Sequence, residues 1–183
     1  MKGCRGWFAL VGAFVLISDA GAEPKPVPNH APACIELHDQ FDSPQRLNFP
    51  ATNVVVLTIA DKTGAEQVDA WIAAIKPRYA SRVEIRGLAD VRGVPAFLRG
   101  KVRKKFQQAR QYPVMMDWSG EVCAKFKFQP GVANLLLIAR DGSIVGRWTG
   151  IATPAAVSEL SAVLDRALDS ATASEIQPAA SRP

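Results

Sequence analysis

The chain has 183 residues, 48% of them hydrophobic and 21% charged, with a formal net charge of +5. That length suffices for one domain with a real core, and that composition makes the bulk of the chain globular rather than disordered. The small positive excess favours acidic partners only weakly and does not by itself argue for nucleic acid, which is not expected as a partner.

Residues 1–22 read as a secretory signal peptide. Lys2 and Arg5 make a positive start, Trp7 to Ser18 is a largely apolar run of twelve, and Ala20 to Ala22 supply small residues at the cleavage positions. Twelve residues are too few to span a bilayer, which takes about 20. Cutting is therefore expected after Ala22, giving an exported mature chain, periplasmic or secreted, with no membrane span. Lys2, Arg5 and Asp19 leave with the signal, so 20 basic and 16 acidic side chains remain and the charge falls to +4. Cys4 leaves as well, and Cys34 and Cys123 stay. Two cysteines in an exported chain are either a disulfide or two free thiols, and spacing does not decide between them.

Residues 23–32, EPKPVPNHAP, are proline-rich and predict an extended linker. CIELHDQFDSPQRLNF alternates around the turn FDSP and predicts a short hairpin. Val54 to Ala60 is a continuous apolar, β-branched run, the pattern of a buried strand. AEQVDAWIAAIKPRY sets Val68, Trp71, Ile72 and Ile75 at helical spacing, with Pro77 expected to end the helix. SRVEIRGLAD predicts a second core strand. VPAFLRGKVRKKFQQARQY is helical after Pro95, with Gly100 a weak point. PVMMDW predicts a third strand and SGEVCAKFKF a helix of two or three turns. ANLLLIAR is a fourth strand, and Asp141-Gly142 turns it into SIVGRW. Thr153 as N-cap and Pro154 at the first helical position open a closing helix with Val157, Leu160, Val163, Leu164 and Leu168 on its apolar stripe. The expected domain is 33–169, followed by a disordered tail at 170–183. Strands alternating with helices make the class α/β, with a central mixed sheet flanked by helices and an N-terminal β-hairpin.

The stretch VVVLTIADKTGAEQ, Val54 to Gln67, joins a buried strand to a loop and a helix, and two chemistries compete for it. An aspartate at a strand end followed by KTG resembles the phosphorylation loop of haloacid-dehalogenase-like phosphatases and P-type ATPases. There a carboxylate is the nucleophile and loop N–H groups receive the phosphate. Asp61 and Gly64 supply those two elements. The later strand ends offer Asp90 and Asp117 singly rather than as a pair, and Ala65 stands where the ATPases have threonine.

The larger resemblance is to the thioredoxin-like superfamily, in its redoxin branch of alkyl hydroperoxide reductase and thiol-specific antioxidant-like proteins. It covers residues 31–169. APACIELHDQFDSPQRLNF resembles the branch's leading hairpin, VVVLTIA its first core strand, and ANLLLIARDGSIVGRWTG its last hairpin. In active members that first strand runs into a CxxC or a single peroxidatic cysteine at a helix N-terminus, where the dipole and free N–H groups lower the thiol pKa. Here a gapless overlay puts Thr63 and Glu66 at the two cysteine positions, and a one-residue shift puts Gly64 and Gln67 there. None of the four can form a thiolate. The family's cis-proline is replaced by Ala133, expected to be trans. Cys123, beside Val122 and Phe126, is expected to be buried with a raised pKa.

The resemblance therefore implies a degenerate active site. The reading is a binding or interaction module, not an enzyme, for a protein or small-molecule partner, in which the loop Asp61–Gln67 faces the turn Val132–Asn134 across the former substrate cleft. The alternatives are a peroxiredoxin-like or disulfide-exchange oxidoreductase using Cys34 and Cys123, and phosphoryl transfer on Asp61. No metal site or cofactor is expected, since no Cys/His cluster has zinc spacing and no glycine-rich nucleotide motif occurs. Arg99, Lys101, Arg103, Lys104 and Lys105 form a basic segment that would suit a weakly held anionic partner or a solvated helix face. Trp118 and Trp148 would line a binding edge or pack in the core.

Overall fold

The structure, a computed structural model, describes residues 29–176. The expected signal peptide and most of the expected linker lie outside the described residues. Two strands, β1 (Cys34–His38) and β2 (Pro44–Asn48), form an antiparallel hairpin. The core follows as β3 (Val54–Ala60), α1 (Ala65–Tyr79), β4 (Val83–Asp90), a 3₁₀ turn Ala96–Leu98, α2 (Arg99–Ala109), β5 (Val114–Asp117), α3 (Glu121–Lys125), β6 (Asn134–Ile138), β7 (Ile144–Thr149) and α4 (Pro154–Ile176). The sheet order is β5-β4-β3-β6-β7. Strands β5, β4 and β3 are parallel, and β6 and β7 are added antiparallel. This is the expected mixed sheet with a leading hairpin. Among the described residues no helix is long and apolar enough to cross a membrane.

Every residue of β3 is buried because both faces of this central strand are covered. Val54 and Val56 pack with Leu135 and Leu137 under Trp71 and Ile75 of α1 and Leu160 and Leu164 of α4. Val55, Leu57 and Ile59 face the opposite way, toward Ile35 and Leu47 of the hairpin and Cys123 and Phe126 of the α3 segment. Each large aliphatic side chain so enclosed contributes about 1.5–3 kcal/mol. Polar tips fix the helix positions. Trp71 Nε1–H donates to the Gly150 carbonyl at 2.8 Å, and the Tyr79 hydroxyl lies 3.1 Å from an Asp165 carboxylate oxygen.

The hairpin also guards the sheet edge. Gln40 is fully buried, and its amide donates to the carbonyls of Arg110 and Tyr112 while its oxygen accepts from Val114 N–H at 2.8 Å. The start of edge strand β5 is thereby satisfied by a side chain rather than left open to another chain.

Several local expectations are corrected. Pro77 does not end α1. It sits in the last turn, where the bond it cannot donate would fall at exposed Ala73, and the helix closes at Tyr79 with Ala80 N–H on Lys76 O. Helix α3 is five residues long, not two or three turns, because Gly120 at φ 77° and Lys127 at φ 49° bracket it. Helix α4 runs past residue 169 to Ile176, into the stretch expected to be tail. Residues 29–31, expected as linker, pair with the turn before β7 through Ala31 N–H to Gly142 O and Ile144 N–H to Asn29 O. Thr153 caps α4 as expected, its Oγ1 accepting from Ala156 N–H at 3.2 Å.

Candidate functional site

The loop after β3 and the turn before β6 meet at the carboxyl end of β3. Asp61 governs both. Its Oδ1 accepts from Gly64 N–H at 2.9 Å, and its Oδ2 accepts from Gly131 N–H at 2.7 Å. Gly64 is the N-cap of α1 with ordinary helical dihedrals, φ −64° and ψ −26°. Three residues on, Gln67 Oε1 accepts from Ala133 N–H at 3.1 Å. Asn134 shapes the turn from within, its Oδ1 on Gln129 N–H and its amide on the carbonyls of Gln129 and Val132.

The two loops face one another and touch at Gly64. A Cβ built on Gly64 would lie 2.3 Å from the Val132 carbonyl oxygen and 2.5 Å from its carbon, so backbone touches backbone. Gly64 and Ala133 are buried and Gln67 is half-buried, whereas Thr63 and Glu66 point into solvent. The pair at the helix N-terminus that touches the turn is therefore Gly64 and Gln67. Among the described residues the only cis peptide is Phe49–Pro50, so Val132–Ala133 is trans as expected.

The carboxylates at the strand ends are all occupied. Register places Asp90 directly beside Asp117 on neighbouring strands, which corrects the expectation that they stand singly. Parallel pairing is set by the whole sheet and is not visible in either local sequence. Asp90 is held by Arg92, Nε to Oδ2 at 3.0 Å. Asp117 caps α3: Oδ1 accepts from Gly120 N–H at 2.8 Å and Ser119 Oγ–H at 3.0 Å, and Oδ2 from Cys123 N–H at 2.9 Å. Burial alone would raise the Asp117 pKa, but the hydrogen bonds from Cys123, Ser119 and Gly120 outweigh it and hold the carboxyl below its ordinary range. Among the described residues no group of three acidic, histidine or cysteine side chains could hold a metal ion. Asp61 has both oxygens committed to backbone donors, so the phosphoryl reading lacks a free nucleophile.

Cys34 and Cys123 are both free thiols, and they lie in opposite surroundings. Cys34 is exposed on β1. Cys123 is fully buried under Phe126, and burial, followed by the Asp117 and Asp90 carboxylates, pushes its thiol far above the ordinary range. A low-pKa nucleophile requires the reverse of each of these conditions.

Two surface features are also placed. Trp148 is buried, and Gly146 leaves room for its ring. Trp118 is stacked under Arg99 at 5.1 Å and Arg103 at 5.9 Å. Arg103 also pairs with Asp42 at 2.8 Å and is half-buried, so Arg99, Lys101, Lys104 and Lys105 are the exposed cations of the basic segment.

No protein-family model and no curated protein matches the chain. Solved structures do match. A candidate thiol:disulfide interchange protein DsbE from Chlorobium tepidum superposes with a TM-score of 0.60 at 18% identity, over 78% of this chain and 99% of that one. The exposed lipoprotein thioredoxin Etrx1 of Streptococcus pneumoniae gives 0.56 at 14% identity, over 73% and 99%. StoA of Bacillus subtilis gives 0.53 at 12% identity, over 75% and 98%. The chain thus has the thioredoxin-like fold.

Proposed function

We propose that the chain is an exported thioredoxin-like domain without thiol-disulfide chemistry, and that it works as a binding or interaction module. The observation that carries this reading is the contact of Gly64 with the Val132 carbonyl. It fills the place where a helix-terminal thiol and its substrate would meet, and Asp61 and Gln67 lock it shut. On this reading the binding surface lies away from the junction of Gly64 with Val132. The burial of Cys123 removes the remaining internal candidate for a nucleophile.

The rival reading is disulfide exchange or peroxide reduction through Cys34 and Cys123. It draws on the solved structures, one of which is named a thiol:disulfide interchange protein. It would need Cys123 to leave the core before reacting.

A disulfide-reductase assay and a peroxide-consumption assay on the chain beginning at Glu23 test the proposal. The expected result is no turnover above a Cys34→Ser, Cys123→Ser double variant. Turnover that Cys123→Ser alone abolishes would overturn it.

A further inference from the structure

Strand β4 lies inside the sheet, between β3 and β5, where both faces of a strand are ordinarily covered. Yet Ile85 and Gly87, which face α1 and α2, are only half-buried. Helix α2 packs on the sheet only through half-buried Val102 and Phe106, buries no residue completely, and leaves a groove against α1. The groove encloses about 270 Å³, with Thr58, Ile85 and Gly87 as its floor and Val68, Ile72 and Phe106 as its walls. Glycine at residue 87 is what opens the floor. A Cβ there would meet only the Val114 methyls at 3.5 Å and the Thr58 hydroxyl at 3.8 Å, ordinary contacts, so a larger side chain would grow into the groove without disturbing the sheet.

Charge at the mouth selects among occupants. Arg110 crosses from the end of α2 to Asp69 of α1 at 2.7 Å, which balances both groups. Lys76, also lining the groove, makes no ion pair among the described residues. Arg86, the third lining cation, pairs with Glu84, so Lys76 is the one left unbalanced over a mostly apolar space. The volume is well above the roughly 150 Å³ apolar cavity that accepts benzene, and apolar walls with few polar groups are the ordinary make-up of small-ligand sites.

We propose that this groove is a binding site for a small apolar monoanion, a medium-chain carboxylate or an aryl sulfonate, with the chain or ring on Gly87 and the anionic head at Lys76. The site gives the binding-module reading a ligand and rests on that reading.

The test uses the chain beginning at Glu23 with 1-anilinonaphthalene-8-sulfonate as fluorescent probe, and decanoate and decanol as competitors. One saturable site is expected, displaced by decanoate. Gly87→Val and Val68→Phe, which fill the groove from the floor and from the wall, should each weaken binding at least ten-fold while circular dichroism and melting stay unchanged. Lys76→Gln should weaken decanoate at least five-fold and leave decanol alone. Binding that survives both filling variants, or decanoate affinity indifferent to Lys76, would overturn the proposal. So would a dimer that decanoate dissociates, since a second copy would then occupy the groove. An empty groove in a protein without disulfide turnover sinks this site alone. Turnover in a protein that still binds the probe sinks the non-catalytic reading alone.

Discussion

Gly64 and Val132 are in backbone contact: a Cβ on residue 64 would fall 2.3 Å from the Val132 carbonyl oxygen. The obstacle is a peptide group rather than the end of a flexible side chain, so a substitution must move one loop away from the other. Gly64→Ala is expected to destabilise the domain by about 1–3 kcal/mol through overpacking, and alanine is also the poorer residue at an N-cap. Urea unfolding of the two proteins measures this. A stability equal to or above that of the parent would mean that the contact is not tight.

Asp61 holds the same junction by two charge-assisted hydrogen bonds, to Gly64 and Gly131 N–H. Asp61→Ala leaves both donors without a protein partner, an expected loss of about 1.5–3 kcal/mol. Asp61→Asn keeps one oxygen acceptor and should lose roughly half as much. Hydrogen exchange at Gly64 and Gly131 should speed up in both variants, more in the alanine one.

Asp117 makes stability depend on pH with a definite sign. Its folded pKa lies below the ordinary aspartate value, so the unfolded chain binds the proton more readily. Its contribution is fully present above the unfolded value of about 3.9 and is lost as pH falls from there through the folded pKa. Asp117→Asn should therefore lower stability at neutral pH and flatten the loss between pH 5 and pH 2, as followed by denaturant midpoints at each pH (the window spans about one unit above the unfolded value to well below it).

How much of this was readable beforehand follows the range of the interactions. Thr153 capping Ala156, the Asp141-Gly142 turn and the buried run Val54–Ala60 are local patterns, and all three stand where the sequence placed them. The choice between Thr63/Glu66 and Gly64/Gln67 was not local. Both pairs have the same spacing, and only the approach of the Val132–Asn134 turn shows that Gln67 reaches across while Glu66 faces water. The same holds for Asp90 beside Asp117, a matter of strand register, and for Gln40, whose buried amide meets residues some seventy positions on. The groove over Gly87 was hidden for a further reason. A lone glycine in a strand pattern signals close approach or a bulge, and only the gap between α1 and α2 turns it into open space.

The central claim is that neither remaining cysteine takes part in thiol-disulfide chemistry, and a thiol titration tests it most directly. The chain beginning at Glu23, purified without reductant, should show one thiol that reacts readily in the native state, Cys34, and a second, Cys123, only after denaturation. Prior reduction should change neither count. No native thiol before reduction and two after it, or a Cys123 that reacts in the native state at neutral pH, would contradict the account.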